Sequence, residues 1–205
     1  MLPNGQMRQP SCQADLLSML TRPDQDQPSL LEPSGLGKLR FRWEGLHSLA
    51  REILPLFQQH WQEIALDRDI VPLDPDWDNY YDLATTGKLH VLTAREVMPD
   101  VCRADSANEK LPADPLVGYV FNLIGGHLHY NSTKFAHTEM FWLMPEYRFG
   151  WNGFKLLKYN LRGLKQRGVV VSTINIKLGF KNARVGQLLA RLGYAPTDIV
   201  LRKVL

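Results

Sequence analysis

Between Ala136 and Gly168 the chain passes from an apolar run, through a glycine-bearing turn, into an amphipathic stretch. Ala136 to Met144 is apolar on both faces with Glu139 as its acid, the pattern of a central strand covered on both sides. Pro145 stops it. Asn152 to Arg167 then places Phe154, Leu157, Leu161 and Leu164 on one helical face, with Lys155, Lys158, Arg162 and Lys165 elsewhere. Gly168 is a natural C-terminal stop. A strand followed by a helix of this kind needs a sheet to join and a face to cover, so the segment predicts an α/β architecture.

The flanking sequence supplies the rest of that sheet. Lys38–Trp43 alternates as a first strand, and Glu44–Leu66 carries Leu46, Leu49, Ile53, Leu56, Phe57, Trp61 and Ile64 at helical spacing, with Pro55 as a candidate kink. Asp74 or Asp76 caps a helix over Trp77–Thr85 that Gly87 ends. Leu89–Glu96 and Leu116–Ile124 are strands, separated by a polar loop. Val169–Lys177 is a strand, Asn182–Leu192 a helix and Asp198–Val204 a final strand. The expected fold is a central, mixed, mostly antiparallel twisted sheet of about six or seven strands with helices on both faces, over residues 38–205. Residues 1–37, with five prolines and many Gln, Asp and Ser, read as a flexible N-terminal extension.

Charge is divided unevenly along the 205 residues. The segment from Arg148 onward holds twelve of the 24 Lys and Arg but one of the 21 acids, Asp198, for a formal +11; residues 1–147 carry −8. The basic part suits an anionic partner, the acidic part a cationic one such as an amine, and solvated helix faces account for either pattern equally well. Two cysteines give no disulfide framework and no metal-ligand spacing, which fits a reducing cytoplasm. No apolar run reaches the ~18 residues of a membrane span, and no secretory signal pattern opens the chain.

The turn Pro145–Phe154 carries Gly150 and Gly153 between the buried strand and the basic helix. Glycine lets a backbone approach a ligand closely, and the free N–H groups and positive dipole end of a helix attract an anion. The turn has neither the Gly-Lys-Ser/Thr of a P-loop nor Gly-x-Gly-x-x-Gly, and a purely structural strand-to-helix turn has the same composition.

Residues from about 40 to 205 resemble the GNAT superfamily of N-acetyltransferases, in particular small GNAT-like proteins encoded by bacteriophages. The likeness is carried by Leu116-Val117-Gly118-Tyr119, His127-Leu128-His129-Tyr130, Ala136-His137, Pro145-Glu146-Tyr147-Arg148, Leu164 to Val169 and Leu189 to Tyr194, with Leu56 to Glu63 and Leu73 to Trp77 upstream. The superfamily's cofactor loop reads Arg/Gln-x-x-Gly-x-Gly/Ala. Arg148 and Gly153 occupy its ends, Trp151 stands where the middle glycine is expected, and Gly150 lies one residue early. The resemblance implies acetyl-CoA as co-substrate. Leu143 and Met144 would pair with its pantetheine arm. Phe149, Gly150, Trp151, Asn152, Gly153 and Phe154 would surround its pyrophosphate, and Arg148 and Lys155 would add charge.

By the same resemblance, Glu139 is the candidate general base for an amine acceptor, with His137 as the alternative. His60, Glu63 and Tyr80 would wall the acceptor site together with Asp74, Asp76 and Tyr81. His127 and His129 line that site or bond within their own connection, and a metal there lacks a third ligand. The late-helix tyrosine that protonates the departing thiolate in many members is matched by Leu189, with Tyr194 and Tyr159 as weak substitutes. Asn175 and Lys177 would end near the cofactor cleft. The acceptor is a protein lysine, an N-terminus or a small amine. A non-catalytic module of the same fold, binding CoA or a protein, is the alternative, and nucleic acid is disfavoured because no known motif accompanies the basic segment.

Overall fold

The computed structural model describes residues 38–98, 114–177, 183–198 and 200–204. The expected N-terminal extension and most of the polar loop before Leu116 lie outside the described residues. The chain divides into two compact units, one spanning Leu31–Asn175 and the other containing Ile176–Leu205.

The larger unit is a five-stranded sheet in the order β1 (Leu39–Glu44), β2 (Leu89–Glu96), β3 (Leu116–His127), β4 (Tyr130–Leu143) and β5 (Val171–Ile174). The first four strands are antiparallel neighbours and β5 joins β4 in parallel. Helices α1 (Leu46–Ile64) and α2 (Trp77–Thr85) connect β1 to β2, and α3 (Asn152–Gln166) connects β4 to β5. The mixed, mostly antiparallel sheet with helices is as expected, but the described residues hold five strands. Asp198 and residues 200–204 are not in a strand.

Residues that alternate along a strand are sent to opposite faces, and each face has its own helical cover. Leu46, Leu49, Ile53, Leu56 and Phe57 of α1 are buried against Leu89, Val91, Tyr119, Phe121 and Trp142, with Trp77, Tyr80 and Leu83 of α2 packed at the margin. On the other face Leu164 of α3 packs with Ile124, Ala136 and Trp43. There a Cβ on Gly163 would overlap the Trp43 indole, so the absent side chain is what lets α3 approach β1. Burial is deepest along β3, where Leu116 to Leu123 are buried or nearly so, whereas much of β4 is half-exposed. β3 is thus the central strand, and β4 is covered less fully than its apolar sequence suggests.

Several boundaries follow from local chemistry. Asp76 caps α2 by accepting from the Asn79 N–H at 3.0 Å, and Gly87 leaves it at φ +69°. Pro55 does not divide α1, which runs unbroken over 19 residues. Pro55 and Leu54 lie on the exposed side, where water can take the carbonyl that the proline leaves without its helical donor.

Polar groups inside the sheet are paired in ways that composition does not disclose. Asn122 and Asn160 exchange amide hydrogen bonds at 2.9 and 3.1 Å, and the Thr138 hydroxyl donates to Asn122 Oδ1 at 3.0 Å, joining α3 to β3 and β4. Arg95, 2% exposed, donates to both carboxylate oxygens of Glu44 and of Glu52. Although burial opposes it, this pairing lowers the Glu44 pKa and raises that of Arg95.

In the second unit, α4 (Ala183–Arg191) ends before Gly193 at φ +86°. Leu189 is buried there.

Candidate functional site

The β4–β5 ladder runs from Phe135↔Val171 to Thr138↔Ile174 and stops, while β4 continues to Leu143. In an antiparallel pair, successive residues turn their N–H and C=O groups to opposite edges. The Met144 N–H donates to Val117 O at 2.8 Å, so Trp142 also faces β3, and Phe141 and Leu143 face the edge that β5 leaves. The Leu143 carbonyl on that edge accepts from Arg148 Nε at 2.6 Å.

The turn beyond β4 is held from several directions. Pro145–Tyr147 forms one 3-10 turn, and the buried Tyr147 hydroxyl donates to Glu96 Oε2 at 2.8 Å. Burial and then the Glu96 carboxylate push that phenol up to about 12. Asn152 Nδ2 donates to Tyr147 O at 3.1 Å. The left-handed conformation falls on Gly150, at φ +56°, and a Cβ there would meet nothing within 4 Å. Trp151, at φ −103°, has no need of glycine, which explains how a tryptophan can stand at the expected middle glycine. It is half-exposed and meets Phe154 edge-to-face at 5.3 Å. No side chain caps α3 and no acid lies in its first turn; the Asn152 N–H donates to Phe149 O at 3.4 Å, and the positive end of the helix dipole meets no carboxylate from that turn.

Arg148 is committed to protein groups. Its guanidinium donates to Glu63 Oε1 at 2.6 Å and Oε2 at 2.5 Å and lies 5.7 Å from the Trp142 ring centroid. Trp142 Nε1 donates to the same carboxylate at 2.9 Å. Glu63 therefore clasps the end of β4 to the end of α1. The Arg148 hydrogen bonds, chiefly, hold its carboxyl below the ordinary 4.5. A depressed folded-state pKa adds stability above the unfolded value, and that contribution is lost as pH falls through the folded value. Glu63→Gln should cost about 1 kcal/mol or less near neutrality, because both partners are well exposed. In urea unfolding at stepped pH, the gap from the parent should shrink below the ordinary carboxylate range; a constant gap would refute the linkage.

A second feature lies on the α1/α2 face. The β3–β4 register shifts so that Phe121 faces Met140 and Asn122 faces Thr138, leaving Glu139 as the extra residue of a β-bulge. The bulge turns Glu139 into a cavity of about 320 Å³ with Asp74, Asp76, Asn79 and Tyr80 above an apolar floor that includes Phe121. Among the described residues, three carboxylates and no Lys or Arg line it. Burial and then the nearby Glu139 carboxylate raise the Tyr80 phenol. His137 Nε2 stands 3.5 Å from Glu139 Oε2, and its Nδ1 bonds the Thr173 hydroxyl at 2.9 Å.

The other expected residues are placed elsewhere. His60 is 7% exposed, bonds the Tyr119 hydroxyl through Nδ1 at 2.8 Å and stacks on Trp142, so its ring is part of the core. Its place in the apolar stripe of α1, three residues after Phe57, was the available signal. His127 and His129 sit at the tip of the β3–β4 hairpin, where the His129 N–H donates to His127 Nδ1 and the His127 ring lies 5.2–5.5 Å from His129, Tyr130 and Phe135. Neither lines the acidic cavity. Tyr159 packs on Phe41 of β1. Among the described residues no three His, Cys, Asp or Glu side chains converge as a metal site would require.

Solved acetyltransferases share this fold. An aminoglycoside acetyltransferase from an uncultured soil metagenomic sample matches with a TM-score of 0.60 at 11% identity, over 82% of this chain and 99% of that one. Glucosamine-6-phosphate N-acetyltransferase from Arabidopsis thaliana matches at 0.54 and 12%, over 82% and 98%. Ribosomal-protein-alanine N-acetyltransferase from Brucella melitensis biovar Abortus 2308 matches at 0.53 and 16%, over 82% and 98%. No protein-family model and no curated protein sequence matches the chain.

Proposed function

We propose that this chain is an acetyl-CoA-dependent N-acetyltransferase of the GNAT type that acts on a cationic primary amine. The observation that carries the reading is the course of β4. It outruns β5, turns the backbone groups of Phe141 and Leu143 to the edge beyond the last β5 pair, and enters a pinned turn that leads into a basic helix with no side-chain cap. These features fit the ligand. The backbone of that edge suits the amide-bearing pantetheine arm. The turn from Phe149 to Phe154 offers backbone N–H groups to the pyrophosphate, and Gly150 brings no side chain into its path. Lys155 and Lys158 add positive charge, and Arg148 shapes the turn from behind through Glu63 and Leu143.

The acidic cavity is the acceptor site in this reading. Asp74, Asp76 and Glu139 attract an ammonium group, and Tyr80 walls the path. Attack requires the neutral amine, so a proton must leave first. Glu139 receives it, directly or through water, and His137 at 3.5 Å is the next group that can take it. Bound at the β4 edge, acetyl-CoA supplies a thioester whose acetyl carbon gains the amine nitrogen as its C–S bond breaks. Leu189 offers no hydroxyl for the departing thiolate, so this reading leaves that proton to solvent. The acceptor is a protein lysine, an N-terminus or a small amine, and the setting is the cytoplasm, that of a bacterial host if the gene is viral.

Calorimetry with acetyl-CoA tests the first claim, and no heat at about 1 mM ligand, equivalent to binding weaker than about −4 kcal/mol, would overturn it. Thiol release over a panel of amines tests the second. Binding without release of thiol with any amine would instead establish a non-catalytic module.

A further inference from the structure

A second cavity, of about 430 Å³, lies at the other end of the sheet, between the start of β2, the base of the β3–β4 hairpin and the end of α3. Lys134 in this cavity is nine positions along β4 from Leu143, roughly 30 Å at the rise of an extended strand, so the cavity is separate from the turn assigned to acetyl-CoA. From the larger unit's own residues, we propose that this cavity binds the phosphate group of a small phosphorylated molecule.

Three observations carry the assignment. The first is charge. Lys134, Arg167 and His90 line the cavity, and among the described residues no carboxylate does. Arg167 lies flat on the Trp43 indole at 4.0 Å and donates through one Nη to Gly163 O, and Lys134 Nζ donates to Arg167 O at 3.0 Å. Both cations are thus held in place by neutral groups, and each has N–H donors beyond those bonds. Burial, followed by the charge of Arg167 and then of Lys134, lowers the His90 pKa, so both cations act at the His90 ring. The second observation is the lining. Ser132 and Thr133 stand in its wall, while Gly125 and Gly126 bring bare backbone to it; a Cβ on Gly125 would meet nothing within 4 Å. The third is size, since the volume falls in the range of small-molecule sites rather than of a single trapped ion. An ammonium, a guanidinium and hydroxyl-bearing residues around an open backbone are the chemistry of a phosphate monoester site.

Titration of the full chain with inorganic phosphate, followed by amide and His90 ring NMR signals, tests this. Saturable shifts at Gly125, Gly126, Ser132 and Lys134, with a rise in the His90 pKa, are expected. Lys134→Gln should weaken binding about tenfold, as loss of one charge-assisted hydrogen bond predicts. Lys134→Arg should retain binding, and Arg51→Gln, an equal charge change on exposed α1, should leave it unaltered. No saturable shift at about 50 mM phosphate, far above a millimolar Kd, or equal binding by Lys134→Gln, would overturn the site. An acetyl-CoA titration that moves these same signals would overturn its separateness. Tighter, steeply salt-dependent binding of a DNA oligonucleotide through Lys134 would overturn the small-molecule assignment. Acetyl-CoA binding at the β4 edge is read independently, so either assignment can fail alone.

Discussion

Glu139→Gln should lower turnover by about 10²–10⁴-fold while leaving acetyl-CoA affinity nearly unchanged, as the loss of a general base without loss of a binding group predicts. The substitution keeps the shape of a half-exposed side chain at a β-bulge and removes only its capacity to hold a proton. Its carboxylate shares a cavity with Asp74, Asp76 and Tyr80 and stands four residues before the edge group of Leu143. Turnover for the best amine and calorimetric acetyl-CoA affinity check the split. Unchanged turnover removes Glu139 as base. The proton then falls to His137, 3.5 Å from the Glu139 carboxylate, and His137→Gln becomes the deciding variant. Equal losses in turnover and acetyl-CoA affinity would show that Glu139 contributes to the cofactor edge instead.

Phe57→Ala should destabilise the chain by about 3–5 kcal/mol, the range for removing a buried phenylalanine from a core that cannot close over the cavity. Phe57 is 4% exposed and its ring meets Trp77, Tyr80, Tyr119 and Phe121 at centroid distances of 5.3–6.3 Å. Those partners come from α2 and β3, so α1 reaches both through one side chain. A loss of that size is a large fraction of a domain's total stability, and urea unfolding measures it directly. Because Tyr80 also walls the acidic cavity, the variant should raise the KM for the amine before it affects acetyl-CoA binding. A loss below about 1 kcal/mol would mean that the aromatic cluster repacks, which the close packing of protein cores argues against.

The elements with strong local signals were legible in the chain itself. Helix α2 begins and ends where Asp76 and Gly87 predict, and α3 ends beside Gly168 at φ +76°. These boundaries are set by caps and backbone freedom, which act over one turn. The hairpin was less legible. β3 and β4 extend to His127 and Tyr130, past the predicted ends, because strand length depends on a partner's hydrogen bonds as much as on the strand's own residues. β5 is correspondingly shorter than its Val-rich sequence suggests. The site was legible in kind. Glu139 and the turn after Met144 could be singled out by residue type, but the bulge that aims Glu139 is a property of the register between two strands. The bonding of Glu63 to Arg148 joins residues 85 positions apart, and nothing in either local sequence announces it. The cationic cavity around Lys134, Arg167 and His90 is likewise assembled from three distant segments.

The sequence by itself determined the period of each element, the caps that end the helices, the concentration of basic residues after Arg148 and the presence of a glycine turn between strand and helix. These depend on neighbours within about four residues, where side-chain spacing and backbone conformation act directly. Tertiary structure alone decided how far β4 runs past β5, that Arg148 turns to Glu63, that His60 is core, and which acids share a cavity with Glu139. Each of these is a contact between distant parts of the chain, and its geometry exists only once both partners are held in the same packed fold.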